Sequence, residues 1–403
     1  MEYKVQVLNK IAPEGIRTFP PRYRLALENS KRTFKDPDAV LLRSADLTGF
    51  NPTNNPSLLA VARAGTGVNN IPVEEMTKHG IAVFNTPGAN TNSVKELVIA
   101  GMLMATRNLQ EAIYNVDNHL RQQGSSQELM DMDIELMKSV FKGRELTGRT
   151  IGIVGLGNIG SAVAHACVGM GMRVVGYDQY LTVEKAWKLP SEMSAAISVE
   201  ELYAWSDFVT VHVPLTIETK NMIDEEAISR MKDGVIILNF ARAGIINEDA
   251  ICNALESGKV HTYVSDFPRT WFTNFGPRRI IAFPHLGAAT ENAEARCAKM
   301  AADELIEYLD NGNIHNSVNF PEIDLPRGKN DGYRISVIHS NTPNMLASIS
   351  TTLGQNHVNI NDMLNKSKDD IAYTLMDLEN FPPERILDSL RSIPGVIKLR
   401  YLG

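Results

Sequence analysis

The 403-residue chain has few cysteines, no excess of positive charge and no apolar run long enough to cross a bilayer. Its three cysteines, Cys167, Cys252 and Cys297, are odd in number and widely spaced, which argues against a disulfide framework or a metal site and favours reduced thiols in the cytoplasm. A net charge of −7 argues against a nucleic-acid-binding surface. The first eight residues have the pattern of a β-strand and not of a signal peptide.

Hydrophobic residues make up 43% of the chain and charged residues 22%, as in globular proteins, and the length allows two or three domains. Short apolar segments alternate with helical patterns, which is typical of parallel βαβ units. Ser93 is predicted to cap a long helix that runs through Val94–Leu109 and on to about Leu120. The first strands are predicted at Tyr3–Leu8, Ala39–Leu42, Leu59–Ala62 and Ala82–Phe84.

The most informative motif is Gly155-Leu-Gly-Asn-Ile-Gly160, which directly follows the apolar segment Ile151–Val154. In a dinucleotide-binding turn, the first glycine allows the tight turn, Gly157 lets the backbone approach a pyrophosphate, and the third lets the helix pack on the strand. The first turn of that helix includes Asn158 and Ile159, and its free N–H groups are suited to bind phosphates. The alternative is a glycine-rich βα turn that binds no ligand.

An acid in the expected position completes this motif. Asp178 ends the next apolar segment, where its carboxylate can accept hydrogen bonds from ribose hydroxyls and would repel a 2′-phosphate, so the sequence favours NAD over NADP. Further strands of the same unit are predicted at Phe208–Val213, Val235–Asn239, Thr262–Ser265 and Ile280–Phe283.

Two residues at later strand ends suit hydride chemistry, which needs a clamp for the substrate and an acceptor for its proton. Arg242 follows an apolar strand among small residues and can hold a carboxylate through two hydrogen bonds. His285, in Pro-His-Leu-Gly, also follows a strand, and a neutral imidazole is a suitable base. The alternatives are a surface arginine and a structural histidine.

The C-terminal region has a different organisation. Residues 319–331 are rich in proline and charge and are predicted to be a linker. Residues 332–403 have the order βαββαβ, which indicates a ferredoxin-like module. Its predicted elements are the strands Arg334–His339, Val358–Asn365, Ile371–Leu378 and Val396–Tyr401, with helices at Met345–Leu353 and Glu384–Ser392.

The motifs together resemble those of the D-isomer-specific 2-hydroxyacid dehydrogenases, in particular the members that carry a C-terminal ACT domain. The resemblance covers nearly the whole chain. Its matching segments begin at Leu42 (Leu-Arg-Ser), Arg63 (Arg-Ala-Gly-Thr-Gly-Val-Asn-Asn-Ile), Asn85 (Asn-Thr-Pro-Gly-Ala-Asn-Thr-Asn-Ser-Val), Gly155, His212 (His-Val-Pro-Leu-Thr), Asn239 (Asn-Phe-Ala-Arg-Ala-Gly) and Pro284 (Pro-His-Leu-Gly-Ala-Ala-Thr).

The resemblance implies an α/β fold with two doubly wound, Rossmann-like lobes and a ferredoxin-like ACT domain. The substrate-binding lobe would comprise residues 1–97 and 287–318, the NAD-binding lobe residues 98–286, and the regulatory domain residues 332–403. The implied reaction is NAD-dependent oxidation of 3-phospho-D-glycerate to 3-phosphohydroxypyruvate, the first step of L-serine biosynthesis, by a homodimer or homotetramer.

The resemblance also implies roles for single residues. Arg242 would hold the substrate carboxylate, His285 would be the acid/base, and Asp266 would bind the nicotinamide carboxamide. Arg43 and Lys138 would bind the substrate phosphate, although Lys138 has the alternative of a solvated helix lysine. Further substrate contacts would come from Ser44, Gly65, Thr66, Gly67 and Asn85, and further cofactor contacts from Val213, Pro214, Thr219, Ala241 and Gly287.

One departure from the family affects the histidine. Members usually have a glutamate after the aspartate, and that glutamate orients the imidazole. Residues 267–284 contain no Asp or Glu but do contain three arginines, which suit either the substrate phosphate or a solvated basic loop. His285 is therefore expected to work without its usual partner, with activity retained to lower pH than in relatives that have the glutamate, or with Glu291 or Glu294 as a substitute.

The C-terminal module has the features of an effector site. His339-Ser-Asn-Thr-Pro-Asn resembles the ACT ligand loop, and His339, Asn341 and Asn359 would contact L-serine where two modules pair. Asn344 stands where glycine is usual, and asparagine tolerates the left-handed conformation that this turn requires. The alternative is a dimerisation module without a ligand.

Two other functions remain open at this point. Another NAD-dependent D-2-hydroxyacid dehydrogenase would act on a non-phosphorylated acid and would need no phosphate cations. A corepressor-like protein would use the same fold as an NADH-responsive binding module and would show no turnover.

Overall fold

The computed structural model describes residues 2–28, 33–122, 127–327 and 332–402. The chain forms two compact units, Met1–Asn90 with Glu291–Gly403, and Thr91–Thr290. Within the described ranges, no helix combines the length and the hydropathy that a membrane span requires.

The first unit begins with a five-stranded parallel sheet in the order β2-β1-β3-β4-β5. Strands β3 and β5 have the predicted bounds, whereas β2 was not predicted. The elements are β1 (Tyr3–Val7), α1 (Pro13–Thr18), β2 (Tyr23–Ala26), β3 (Ala39–Leu42), β4 (Ala60–Arg63), α2 (Val73–Lys78) and β5 (Ala82–Phe84).

The second unit is a seven-stranded parallel sheet in the order β12-β11-β10-β9-β6-β7-β8. The strand order reverses beside β6, so the glycine motif lies at the point where doubly wound folds bind ligands. The elements are α3 (Thr91–Arg107), α4 (Leu109–Gln122), α5 (Gln127–Val140), β6 (Thr150–Val154), α6 (Asn158–Gly169), β7 (Arg173–Tyr177), α7 (Val183–Ala186), β8 (Ser194–Ala195), α8 (Val199–Trp205), β9 (Phe208–Val211), α9 (Glu225–Arg230), β10 (Val235–Asn239), α10 (Glu248–Ser257), β11 (Val260–Ser265) and β12 (Ile280–Ala282).

The long helix after the first sheet differs from its prediction. It starts at Thr91, so Ser93 lies buried inside the first turn and does not cap it. The helix also stops at Arg107, because Asn108 has a left-handed φ of 51° that ends α3 before α4 begins.

The first unit continues after residue 290 with a long helix and a four-stranded antiparallel sheet in the order β14-β15-β13-β16. The predicted βαββαβ module is confirmed, with α12 and α13 packed on one face of its sheet. The elements are α11 (Glu291–Asn311), β13 (Tyr333–Ser340), α12 (Met345–Gln355), β14 (Ile360–Lys368), β15 (Ile371–Leu378), α13 (Glu384–Arg391) and β16 (Val396–Tyr401).

The segment predicted as a linker is packed into the protein instead. Phe320, Ile323 and Leu325 are buried, and Ile323 forms a β-bridge with Ile314. These apolar side chains alternate with the prolines and charges that suggested a linker, so the local composition was misleading. Residues 328–331, the last part of that prediction, lie outside the described residues.

The second face of the antiparallel sheet packs against α11 and the five-stranded sheet. Ile338, Tyr373 and Leu375 share one apolar core with Tyr308 and Leu309. The module therefore contributes to the core of the first unit.

Candidate active site

The glycine motif forms a tight turn between β6 and α6. Gly155 has a φ of 91°, and a Cβ atom there would lie 2.8 Å from the carbonyl oxygen of His212. A Cβ at Gly160 would overlap the carbonyl oxygen of Gly155. A Cβ at Gly157 would meet no atom within 4 Å, so the space beside the amino end of α6, at Asn158 and Ile159, is open.

Asp178 connects the next strand to this turn. Its carboxylate accepts the backbone N–H of Leu156 at 2.8 Å and that of Tyr180 at 2.8 Å. Beside it lies a cavity of about 530 Å³ whose lining includes Leu156, Asp178 and Pro190. A fixed carboxylate that lines a cavity is suited to accept hydrogen bonds from the hydroxyls of an adenosine ribose.

The segment after β9 borders the same turn. The side chain of Val213 lies where a Cβ on Gly155 would contact it, and Thr219 donates its hydroxyl to the carbonyl of Pro214 at 2.6 Å. His212 precedes them, and burial lowers the pKa of its imidazole to about 4, so the ring is neutral at neutral pH.

The loop after β10 presents Arg242. Asn239 holds this loop, because its side-chain oxygen accepts the N–H of Ala241 at 3.1 Å and its amide donates to the carbonyl of Arg242 at 2.9 Å. Arg242 is exposed, and among the described residues no carboxylate lies within ion-pair distance of its guanidinium, which donates only to the carbonyl of Ala241. This leaves a guanidinium available for an anionic ligand. Asn239 was not predicted to position this loop, although its place at a strand end was a usable signal.

Asp266 shapes the loop that presents His285. Its buried carboxylate accepts the N–H of Leu286 at 2.7 Å and that of Gly287 at 2.8 Å, and its carbonyl accepts the N–H of His285 at 3.1 Å. Burial raises the pKa of Asp266, and the two backbone N–H groups and His285 oppose this shift. His285 itself has a left-handed φ of 58°, a conformation that is uncommon outside glycine and that this hydrogen-bonded loop stabilises.

The imidazole of His285 is exposed, with the ring of Phe267 edge-on at 5.3 Å between centroids. Among the described residues of its own unit, no carboxylate lies within ion-pair distance of that imidazole. The two proposed substitutes lie in the first turn of α11, in the other unit, and Glu294 there pairs with Arg43 at 2.7 Å.

The three arginines between Asp266 and His285 have structural partners. Arg269 pairs with Glu248 at 2.6 Å, Arg278 pairs with Glu111, and Arg279 donates to the carbonyls of Leu255 and His261. They are therefore neither a free phosphate clamp nor simply a solvated loop.

In the first unit, several of the predicted substrate residues form one network. Asn85 donates its side-chain amide to the carbonyl of Thr66 at 2.6 Å, and the N–H of Thr86 donates to the carbonyl of Gly65 at 3.1 Å. Arg63 donates to the carbonyls of Gly67 and Arg43. Arg63 was noticed only as part of a motif, yet it fixes both predicted substrate segments.

Two further predicted substrate residues have local partners. The N–H of Ser44 donates to the side chain of Asn9 at 3.1 Å. Lys138 is exposed on α5 and pairs with Glu135 at 2.9 Å, as a surface lysine would.

The predicted effector residues differ in exposure. His339 is buried, with its ring nitrogens 2.8 Å from the hydroxyl of Thr374 and 2.8 Å from the carbonyl of Ser340. Asn341 and Asn359 are exposed. Asn344 has a φ of 70°, which confirms that asparagine adopts the left-handed turn here.

Comparison with known proteins matches this chain to one family of dehydrogenases. Residues 99–287 match the family model described as "D-isomer specific 2-hydroxyacid dehydrogenase, NAD binding domain". The chain is 32% identical over 393 residues to the D-3-phosphoglycerate dehydrogenase of Haemophilus influenzae. That alignment covers 94% of this chain and 90% of the Haemophilus protein. It is 36% identical over 299 residues to the enzyme of the same name from Bacillus subtilis. That alignment covers 73% of this chain and 53% of the Bacillus protein. The crystal structure of NAD⁺-bound 3-phosphoglycerate dehydrogenase from Entamoeba histolytica aligns with a TM-score of 0.61 at 27% identity, over 79% of this chain and 99% of that one.

Proposed function

This chain belongs to the D-isomer-specific 2-hydroxyacid dehydrogenases, a family of NAD-dependent oxidoreductases, and we propose that it oxidises 3-phospho-D-glycerate to 3-phosphohydroxypyruvate as the first step of L-serine biosynthesis. The observation that carries this proposal is the similarity over 94% of the chain to an enzyme named for that substrate. The open space beside Gly157 and the anchored carboxylate of Asp178 support NAD as the cofactor.

When NAD is bound, it supplies the acceptor for the hydride that leaves the hydroxyl-bearing carbon of the substrate. Arg242 holds the substrate carboxylate through two parallel hydrogen bonds, which its unpaired guanidinium supports. His285 accepts the hydroxyl proton on a ring nitrogen, and its exposed position at a strand end supports this role. Asp266 positions His285 through the backbone of the intervening loop.

The experiment that tests the reaction is a steady-state assay of NADH formation with 3-phospho-D-glycerate and, in parallel, with D-glycerate. We expect kcat/KM to be at least about a hundredfold higher for the phosphorylated acid, because two charge-assisted contacts are lost without the phosphate. Equal values for both acids would favour a dehydrogenase of non-phosphorylated acids. No turnover with either acid, together with tight NADH binding, would favour the corepressor-like function.

The phosphate contacts are tested by two matched charge-removing variants. We propose that Arg43 binds the phosphate, so Arg43→Gln should raise KM about tenfold or more with little change in the affinity for NAD. Lys138→Gln decides whether Lys138 is the second cation. A comparable rise in KM assigns it to the phosphate, whereas an unchanged KM means that it only pairs with Glu135 on the surface.

We also propose that L-serine inhibits the enzyme at the C-terminal module. The amides of Asn341, after β13, and of Asn359, before β14, are exposed and suit the ammonium and carboxylate of an amino acid. They lie at opposite ends of one sheet, so they would meet the ligand from two paired modules, with buried His339 directly before the loop of Asn341. Titration of millimolar L-serine should lower the initial rate, and Asn341→Ala should remove that effect without changing the uninhibited rate. An unchanged rate would leave the module a purely structural element.

A homo-oligomer in the cytoplasm completes the proposal. Helices α4 and α5 expose large apolar side chains, which in a functional protein usually mark an interface. Light scattering coupled to size exclusion should give a dimer or tetramer, and a monomeric mass would contradict it. These side chains are Ile113, Tyr114, Leu136 and Val140.

A further inference from the structure

A second cavity lies in the dinucleotide-binding unit at the opposite edge of the sheet from the glycine turn. It has a volume of about 330 Å³ and opens at the amino ends of β6, β9 and β10. This volume is near the lower limit of ordinary small-molecule sites. Because the dehydrogenase chemistry belongs to the carboxyl ends of the strands, the proposed reaction leaves this cavity without a role.

The lining of this cavity is strongly basic. Five lysine or arginine side chains line it against two carboxylates, those of Asp207 and Asp233. Both carboxylates are already engaged, Asp207 by Lys232 at 3.1 Å and Asp233 by Lys259 at 2.8 Å. The five cations are Lys142, Arg144, Arg149, Lys232 and Arg278.

Three of these cations have no carboxylate within ion-pair distance among the described residues. They are Lys142, Arg144 and Arg149, of which Arg149 donates only to the carbonyl of Glu145, at 3.1 Å. Three unpaired like charges around one cavity repel one another, and this repulsion favours binding of an anion.

The backbone that carries the cations is held in place. The N–H of Arg144 donates to the carbonyl of Thr106 at 2.9 Å, and a Cβ on Gly143 would lie 2.5 Å from that same oxygen, so the turn packs directly on α3. Arg278 donates to the carbonyl of Val140 at 3.2 Å and lies 5.7 Å from the centre of the Phe141 ring. An anion would therefore meet groups that are already in position, which reduces the entropy lost on binding.

The positive charge around this cavity affects the pKa of the lining residue His261. Burial and three neighbouring arginines, Arg279, Arg144 and Arg278, all lower the pKa of His261. This lining histidine is therefore neutral at neutral pH and offers a hydrogen bond rather than another charge.

We propose that this cavity is a second anion site, separate from the reaction site, and that its ligand is a small phosphomonoester or free phosphate. A phosphate group carries close to two negative charges and accepts several hydrogen bonds at once, which matches three unpaired cations around a small volume. Lys142 and Arg144 bind it from the turn after α5, and Arg149 binds it from the start of β6.

The experiment measures binding of two probes to the full chain by calorimetry at low salt: inorganic phosphate and glycerol 3-phosphate. All titrations use the Arg43→Gln background, because Arg43 is the proposed phosphate ligand of the reaction site and its removal weakens binding of both probes there. In this background the double variant Lys142→Gln/Arg144→Gln should raise the Kd of the remaining site about tenfold or more. Tighter binding of glycerol 3-phosphate would identify a phosphomonoester site, and equal binding a site for free phosphate.

A matched control removes the same charge elsewhere. Arg230→Gln/Lys299→Gln deletes two exposed cations of surface ion pairs and should leave the Kd unchanged. The same rise in Kd in both double variants would show only a general charge effect and would overturn the proposal, as would an unchanged Kd in Lys142→Gln/Arg144→Gln.

A readout of turnover separates this site from the proposed function. With Arg43 intact, Lys142→Gln/Arg144→Gln should keep kcat/KM for 3-phospho-D-glycerate within about twofold, because neither residue belongs to the reaction site. If that double variant fails to fold, the single variant Lys142→Gln, at an exposed position, carries the same test. A large loss of kcat/KM would instead assign these cations to the reaction site.

Discussion

The carboxylate of Asp178 accepts the backbone N–H of Leu156 at 2.8 Å, and this contact joins the residue after β7 to the centre of the glycine turn. Because Tyr180 donates to the other carboxylate oxygen, the charge is fixed on both sides. A carboxylate held in this way is expected to discriminate between NAD and NADP by its charge as well as by its shape.

Replacing that charge should change the choice of cofactor. In Asp178→Asn the side chain keeps one acceptor but no longer repels a 2′-phosphate, so the ratio of kcat/KM for NAD to that for NADP should fall about tenfold or more. Steady-state kinetics with both cofactors measures this ratio. An unchanged ratio, with the variant folded, would mean that another group sets the preference.

Substitutions at two glycines of the turn should have different effects, one on stability and the other on NAD binding. Gly160→Ala places a methyl group into the carbonyl of Gly155 and should lower the free energy of unfolding by about 1–3 kcal/mol, as overpacking does. Gly157→Ala meets no protein atom within 4 Å and has an ordinary φ of −69°, so it should fold normally but bind NAD about tenfold or more weakly.

Urea unfolding and NADH fluorescence titration separate these two effects. Gly169→Ala is the control, because this helical position also has no atom within 4 Å and lies far along α6 from the turn. Unchanged NADH affinity in Gly157→Ala would contradict a close approach of the pyrophosphate there.

A buried carboxyl on α11 should make stability depend on pH. Glu304 is buried, and burial raises its pKa to about 8, with its one bonded oxygen held by Asn316 at 2.9 Å. The folded protein then keeps a proton that the unfolded chain loses from about pH 4.5 upward, so stability should fall as the pH rises toward 8. Glu304→Gln should remove this slope, which cannot exceed about 1.4 kcal/mol per pH unit.

Urea titrations across that pH range measure the slope for both proteins. Glu256→Gln, at an exposed site on α10, is the control and should leave the slope of the unmodified protein unchanged. Parallel slopes for the unmodified protein and Glu304→Gln would show that Glu304 is ionised in the fold.

The pair formed by Arg334 and Asp377 should be costly to break. Two hydrogen bonds of 2.6 and 2.7 Å join them, their side chains are 1% and 4% exposed, and Arg334 also donates to the carbonyl of Leu325. Asp377→Ala leaves an uncompensated buried charge and should lower the free energy of unfolding by about 3–5 kcal/mol.

An exposed pair provides the comparison for this prediction. Asp303→Ala removes the partner of Lys299 on the surface of α11 and should cost no more than about 1 kcal/mol. The double variant Arg334→Met/Asp377→Leu should recover much of the loss, because it removes both charges. Chemical denaturation measures all three, and equal costs for the buried and the exposed pair would refute the argument.

Local patterns predicted most of the strands and the glycine turn correctly. The segments Val235–Asn239 and Ile371–Leu378 are short, apolar and bounded by turn residues, and each became a strand with the predicted bounds. Gly155 and Gly160 were identified because their steric roles depend on residues only a few positions away. The four-residue strand Tyr23–Ala26 was missed because it has little apolar periodicity.

The remaining errors involve partners that are distant in the sequence. Nothing near Arg278 reveals that Glu111 is its partner, and nothing near Phe320 reveals the core that buries it. His339 similarly faces Thr374 across two strands, so its burial could not be predicted from its loop motif. These contacts depend on the tertiary arrangement of the chain, which local composition does not encode.

The helix α11 gives the first unit a rigid rod about 30 Å long. In its first turn Glu294 pairs with Arg43, and at its last turn the carbonyls of Leu309 and Asn311 accept hydrogen bonds from Arg400 and Arg334 of the antiparallel sheet. Arginines at this negative end of the helix also match its dipole. A tilt of the antiparallel sheet would therefore move α11 with it. Because α11 is rigid, the movement would reach the guanidinium of Arg43 at the other end of the helix.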